Sequence, residues 1–286
     1  MQMKRLYVLV RYSVLVKKSG MWVIGRDTSF DEYRKALFDE ARLAYHFRIF
    51  SGLTLPSLNA AIEKKGDLDV RCLVLTSDEL PESHKKNLYG EAECYNWLSV
   101  HEISCDQSYS DAFEKLISSD LNNENGSVAI YGTTRLDDDD ALPSDFVHII
   151  SEYLSESFVG MAISFPKGYS AYFQDGKITS FSEIVHPKIA LGLTHVGKAG
   201  KEPRRTKTIY SFGSHSNIDR KLRIILDSRY YSYIRSLHEE SDLSQRSAKR
   251  IINNGAHMDM EAIMDRFCID EELLSLTLSE KTRESS

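Results

Sequence analysis

The sequence predicts an α/β protein built on a doubly wound mixed sheet, with an antiparallel second half and a C-terminal helical extension. Three observations carry this. Branched and aromatic runs at residues 6–10, 70–75, 97–103 and 128–131 alternate with segments of helical spacing, the order that builds a sheet with ligand sites at the carboxyl ends of its strands. An Asp175-Gly176 pair stands between two strand-like runs, 171–174 and 177–181, which is a strong hairpin signal. Helical patterns then return at 220–236 and from Leu243 onward.

Taken in order, residues 6–10 (Leu-Tyr-Val-Leu-Val) read as a buried first strand. Residues 11–30 lack periodicity and read as a loop. From 31 to 50, Tyr33, Leu37, Ala41, Ala44 and Tyr45 fall at helical spacing, with Asp31 and Glu32 suited to the first turn. A turn is expected at Ser51-Gly52, and Pro56 is placed to open a further helix through Ala61. A strand at 70–75, a short helix at 81–89, a strand at 97–103 and a helix at 110–119 follow. The turn-forming cluster 122–126 leads into the strand 128–131. After Pro143 a helix is expected at 145–153, then strands at 158–165 and 170–174. Residues 1–240 are read as the main domain and 241–286 as the helical extension with a frayed polar tail.

The chain has 286 residues, 42% hydrophobic and 27% charged, enough for one large α/β domain with a sizeable core. Its net charge of −6 supplies no general basic field, so nucleic acid is not an expected partner. Cys72, Cys94, Cys105 and Cys268 form no CxxC pair and read as free thiols of a reducing cytoplasm. The apolar stretch after Lys4-Arg5 is interrupted by Arg11. It is too short for a signal sequence, and no stretch has the length of a membrane span.

The feature that most needs an explanation is Asp137-Asp138-Asp139-Asp140, which follows Arg135-Leu136 at the mouth of the fourth strand. Adjacent carboxylates repel one another, and aspartate is a poor strand or helix former. A divalent cation would offset that cost, and carboxylate oxygens suit Mg²⁺ or Mn²⁺ with positions left for phosphate. In an extended segment Asp137 and Asp139 would share one face, with Asp138 turned away. An acidic run alone is more often a solvated loop. Its place directly after a buried strand favours a ligand site.

The segment 134–142, Thr-Arg-Leu-Asp-Asp-Asp-Asp-Ala-Leu, resembles the signature of the bacterial "putative rhamnosyltransferase" family, of the GT-A glycosyltransferase class. Three further pieces agree in order: Arg11-Tyr12-Ser13; Phe47-Arg48-Ile49-Phe50 with Thr54-Leu55-Pro56-Ser57-Leu58; and Val74-Leu75-Thr76-Ser77 with Leu80-Pro81. The resemblance spans roughly residues 5–240. It departs at Asn59, where the family often has Gln, and at Ser236–Ser241, where it tends to show His followed by Gly or Asn. The resemblance implies a GT-A-like fold and a metal-dependent transfer of a sugar from a nucleotide-diphosphate donor to a glycan or other hydroxyl acceptor. It implies that Asp137 touches the ribose, Asp139 binds the metal, Asp140 supports either, His238 is a second metal ligand, and Arg11 lines the nucleotide pocket.

His215, in the polar loop Gly213-Ser214-His215-Ser216, is the rival metal ligand, ahead of His186 and His195. Arg135 is grouped with the nucleotide-contacting residues. The basic loop with Lys198, Lys201, Arg204, Arg205 and Lys207 suits a leaving diphosphate, although a solvated surface loop fits nearly as well. Glu183 is the leading candidate for a general base, and Asp175, more simply a hairpin residue, is the second. Tyr230, Tyr231 and Tyr233 read as core or interface aromatics. Two rival readings stand beside the transferase: a nucleotide- and metal-binding module without turnover, and a nucleotidyltransferase. The second would want a Gly-rich loop after the first strand, and residues 11–20 have none. A homodimer and a peripheral membrane contact are compatible with the C-terminal segment, though no basic amphipathic helix supports the latter.

Overall fold

Every residue of β1 (Met3–Arg11) from Arg5 onward is buried, so β1 is covered on both faces as a central parallel strand must be. The protein is described by a computed structural model that covers residues 3–17, 29–123, 128–174, 177–200, 206–237 and 258–270. Parallel to β1 lie β2 (Asp69–Ser77) on one side and β4 (Val128–Asp137) on the other, with β3 (Leu98–Ile103) outside β2. Helices α1 (Phe30–Leu37), α2 (Glu40–Ile49), α3 (Leu55–Glu63), α4 (Glu82–Cys94) and α5 (Tyr109–Asn123) make the connections, and α6 (Phe146–Ser151) follows β4. The alternation expected for the first half is present.

The sheet continues beyond β4 through β8 (Thr194–Lys198), β5 (Met161–Ser164) and β9 (Arg223–Leu226), in the order β3-β2-β1-β4-β8-β5-β9. Only β8 among these runs against the rest, because it is antiparallel to both β4 and β5 while β9 is parallel to β5. A second, three-stranded sheet orders as β10 (Tyr231–Leu237), β6 (Lys167–Gln174) and β7 (Lys177–Val185). The β6–β7 pair is the expected hairpin, but β10 joins β6 in parallel. The second half is therefore mixed rather than antiparallel throughout.

Two helical expectations need correction. The segment 31–50 is two helices, because Asp39 caps a new one by accepting from Arg42 N at 3.0 Å. No turn opens at Ser51-Gly52. The chain passes through one π-helical turn, Phe50–Thr54, closed by Leu55 N–H to the Phe50 carbonyl. Pro56 has no N–H to continue the narrower ladder, and a wider turn accommodates that. Residues 220–236 are not a helix: a 3₁₀ turn (His215–Arg220) leads into β9 and β10. Ile224, Ile225, Tyr231, Tyr233 and Ile234 are strand formers, and open edges on β5 and β6 receive them.

The large sheet is covered on both faces. Leu6, Val8 and Val10 pack with Leu43, Leu58 and Phe146 on one, while Tyr7, Leu9 and Leu75 pack with Phe113 and Ile117 on the other. A third cluster joins Ile49 and Leu53 to Phe173, Phe181 and Ile234 of the small sheet, and to Ile263 and Phe267 of α7 (Met260–Phe267). Arg266 ties α7 down through Asp145 at 3.1 Å and through its own carbonyl to Ser144 N. No helix among the described residues is long and apolar enough to cross a membrane.

Candidate functional site

The parallel register of β1 and β4 places Arg11 beside Asp137 at the carboxyl ends of both strands. Arg135 stands two residues before Asp137 and shares its face of β4. The Asp137 carboxylate accepts from Arg11 Nη2 at 3.5 Å and from Arg135 Nη2 at 3.3 Å and 3.4 Å. Arg11 is 8% exposed. Its guanidinium lies 5.1 Å from the ring centres of both Tyr109 and Tyr210, and that of Arg135 lies 5.5 Å from Tyr210. Tyr210 is held flat against Phe113 (5.4 Å, 7°) and edge-on to Tyr109 (5.4 Å). Burial acts to raise the pKa of the Asp137 carboxyl. Arg135 and then Arg11 outweigh it, so the group is held below its ordinary value and stays ionised.

Just beyond, the four aspartates part company. The strand ends at Asp137, and Asp140 N–H reaches back to the Asp137 carbonyl at 3.3 Å, which makes Asp138 and Asp139 the centre of a turn. The extended segment expected to give Asp137 and Asp139 a shared face therefore ends at Asp137, and a turn takes its place. Asp138 is buried toward α2, 3.6 Å from His46 Nδ1, and its carbonyl accepts from the Thr54 hydroxyl at 3.0 Å. Asp140 is buried and accepts from Ser236 N–H of β10 at 2.9 Å. Burial, then Asp139 and Asp137, push its carboxyl well above the ordinary carboxylate range. Ala141 and Ile234 close a two-way bridge beside it, so β10 braces the acidic turn.

This donor set fits a divalent cation that shares its shell with phosphate. Mg²⁺ and similar ions commonly take one or two protein carboxylates and leave the rest to water and substrate. Asp139 and Asp140 are adjacent carboxylates of that kind, and a cation would relieve the repulsion that raises Asp140. Among the described residues no group of three or more His, Cys, Asp or Glu is arranged to hold an ion, so His215 does not combine with the two aspartates into a protein-only cage. His215 donates from Nδ1 to the Lys188 carbonyl at 2.6 Å, and burial lowers its pKa, so the ring is neutral.

Glu183 is displaced from this cluster. It is exposed on β7, level with Tyr169 of β6, and accepts from the Tyr231 hydroxyl at 2.8 Å. Tyr231 lies five residues before Ser236 on β10, roughly 16 Å along a strand from the contact with Asp140. Register in the small sheet, rather than nearness in sequence, sets that separation. His195 is a buried strand residue of β8 with its pKa lowered to about 4 by burial, and His186 is exposed. Of the basic loop, Lys198 pairs with Glu156 at 2.7 Å and Lys207 with Glu114 at 3.8 Å. Lys201, Arg204, Arg205, Asp175 and His238 lie outside the described residues.

The structure adds residues that sequence reasoning missed. Tyr109 and Tyr210 come from segments a hundred residues apart, and only folding brings their rings around Arg11. Ser13, directly after Tyr12, has φ of +46°, a conformation that costs energy for any residue but glycine. Its hydroxyl accepts from Arg42 Nη1 at 3.2 Å.

Residues 6–250 match the protein-family model described as "Putative rhamnosyl transferase". No curated protein matches the chain. Among solved structures, the chain is similar to a mannosyltransferase from Pyrobaculum calidifontis in complex with GDP-Man and Mn²⁺, at 13% identity, 96% coverage of this chain and 73% of that one, and a TM-score of 0.41. It is similar to a "putative nucleotide-diphospho-sugar transferase" from Desulfovibrio desulfuricans G20, at 8% identity, 97% and 99% coverage, and a TM-score of 0.33. A third likeness is to a "putative glucose-1-phosphate thymidylyltransferase" from Bacillus anthracis, at 12% identity, 90% and 98% coverage, and a TM-score of 0.38. At this distance the three likenesses assign no role to any residue of this chain.

Proposed function

The chain belongs to the "Putative rhamnosyl transferase" family, a family of glycosyltransferases, and on that premise we propose that it moves a sugar from a nucleotide-diphosphate donor to a hydroxyl group of a glycan acceptor, with Mn²⁺ or Mg²⁺ at the acidic turn. The observation that carries this reading is the pairing of Asp137 with Arg11 and Arg135 at the ends of β1 and β4, immediately before Asp139 and Asp140.

In this reading Asp137 is an oriented acceptor. Two guanidiniums hold its carboxylate ionised, so it can receive the hydroxyls of a ribose without reorganising. Arg11 and Arg135 carry positive charge to the same spot, where the diphosphate of the donor lies. Asp139 and Asp140 would hold the cation, which would supply neutralisation of the charge that grows on the departing nucleoside diphosphate. The preorganised cluster holds the donor without rearranging as charge shifts toward the leaving group. Asp138 serves the scaffold, anchoring the turn to α2 through His46 and to the π-helical turn through Thr54.

The test is turnover of a panel of nucleotide sugars with Mn²⁺, with and without EDTA, for the unsubstituted chain and Asp139→Ala. We expect EDTA to abolish hydrolysis or transfer, added Mn²⁺ to restore it, and Asp139→Ala to cut it by about 100-fold or more. Metal-dependent activity unchanged in Asp139→Ala would remove the cation from this turn. No turnover or binding of any donor by the unsubstituted chain would overturn the reaction itself.

A further inference from the structure

We infer that the Tyr210 hydroxyl is a ligand-binding group that donates a hydrogen bond to a phosphate oxygen of the nucleoside diphosphate; this rests on the reading of the site as a donor pocket. Tyr210 is 6% exposed. Its ring is fixed on three sides: flat on Phe113, edge-on to Tyr109, and beneath the guanidiniums of Arg11 and Arg135. Its hydroxyl is buried beside the Arg11 guanidinium, which can only donate to it, and the described residues offer its own proton no acceptor.

A ring that served only to pack would do so equally well without the oxygen. A buried hydroxyl proton with no acceptor costs stability on the order of one hydrogen bond or more. The ring that carries it lies under two guanidiniums, 5.1 Å and 5.5 Å from its centre. Burial raises the pKa of the phenol, with Arg11 and Arg135 acting the other way, so it is a protonated donor at neutral pH. A donor on a ring that two guanidiniums cover is matched by an anionic oxygen, which can accept from such groups. A diphosphate brings several such oxygens. Water can serve the hydroxyl in the free protein, and a phosphate oxygen takes its place on binding.

Tyr210→Phe tests this in the full chain, because it deletes the oxygen and keeps the ring that stacks on Phe113 and under Arg11. Binding of UDP, GDP and dTDP in the presence of Mn²⁺ is measured by calorimetry, and binding of the corresponding nucleosides by competition. We expect the diphosphate that the unsubstituted chain prefers to bind about tenfold more weakly to the variant, the nucleoside to bind equally to both, and the unliganded melting temperature to stay level or rise. Equal diphosphate affinity in the two proteins would overturn the inference while leaving the donor pocket intact. So would an equal loss for nucleoside and diphosphate, or a lowered unliganded melting temperature. If the unsubstituted chain binds none of the three diphosphates, the inference falls together with the function it rests on.

Discussion

Arg11 and Asp137 end neighbouring parallel strands at the same register position, with Nη2 of one 3.5 Å from Oδ1 of the other. Neither side chain reaches across a loop to make this contact. It follows from the hydrogen-bond ladder of β1 and β4, so the site is as rigid as the sheet. Asp137 is 32% exposed at its side chain and Arg11 7%, so one end of the pair is sealed and the other reaches solvent.

Removing the charge of Asp137 leaves two buried or half-buried guanidiniums without their carboxylate. Because that carboxylate is partly solvated, the loss is well below that of a fully buried pair. We expect Asp137→Ala to cost about 1–2 kcal/mol in urea unfolding and to weaken donor binding by at least tenfold.

Asp140 does two things that a pair of substitutions separates. Asp140→Asn keeps an oxygen for Ser236 N–H and removes a charge that burial, Asp139 and Asp137 all oppose. Its stability is expected to match or exceed that of the unsubstituted chain. Asp140→Ala strands a buried N–H and is expected to lose about 1–3 kcal/mol. Both should lower metal-dependent turnover, so activity falls in both variants and the melting temperature only in one.

His195 makes stability depend on pH. Its folded pKa is lowered to about 4, against about 6.5 in an unfolded chain. Between these values the unfolded chain takes up a proton that the folded protein refuses. The contribution is complete above about pH 6.5 and is lost as pH falls toward 4, by up to about 3 kcal/mol. Urea unfolding between pH 7.5 and 4.5 should show a shallower decline for His195→Gln; parallel curves would show that another group sets the slope.

Gly168 of β6 lies under the ring of Tyr233, and a Cβ at that position would overlap three atoms of the ring. Tyr233 is fully buried and its hydroxyl is bound to the Pro166 carbonyl at 3.2 Å, so it cannot swing aside. Gly168→Ala is expected to cost about 1–3 kcal/mol or more and to loosen β10, which braces the acidic turn. Thermal melting reads the first effect, and hydrogen exchange at Ser236 the second.

The sequence by itself determined the four parallel strands and the hairpin. A run such as residues 6–10, apolar on both faces, has no stable place except inside a covered sheet, and Lys177–Val185 follows a turn pair that directs the chain back on Gln174. It also placed Arg11 at the mouth of β1, directly after residues 6–10, and Arg135 and the aspartates beyond residues 128–131, the run that begins β4. Tertiary structure decided what depends on partners distant in sequence. Residues 223–226 and 231–237 became strands because β5 and β6 offered them edges, a context that local spacing does not contain. Register in the small sheet carried Glu183 away to Tyr231, and β10 brought Ser236 N–H to Asp140. The aspartates, alike in sequence, were sorted by what met each of them: guanidiniums for Asp137, His46 and Thr54 for Asp138, a backbone N–H for Asp140. Tyr210 reached Arg11 only because the chain between them folded, and that long-range closure is what local periodicity cannot encode.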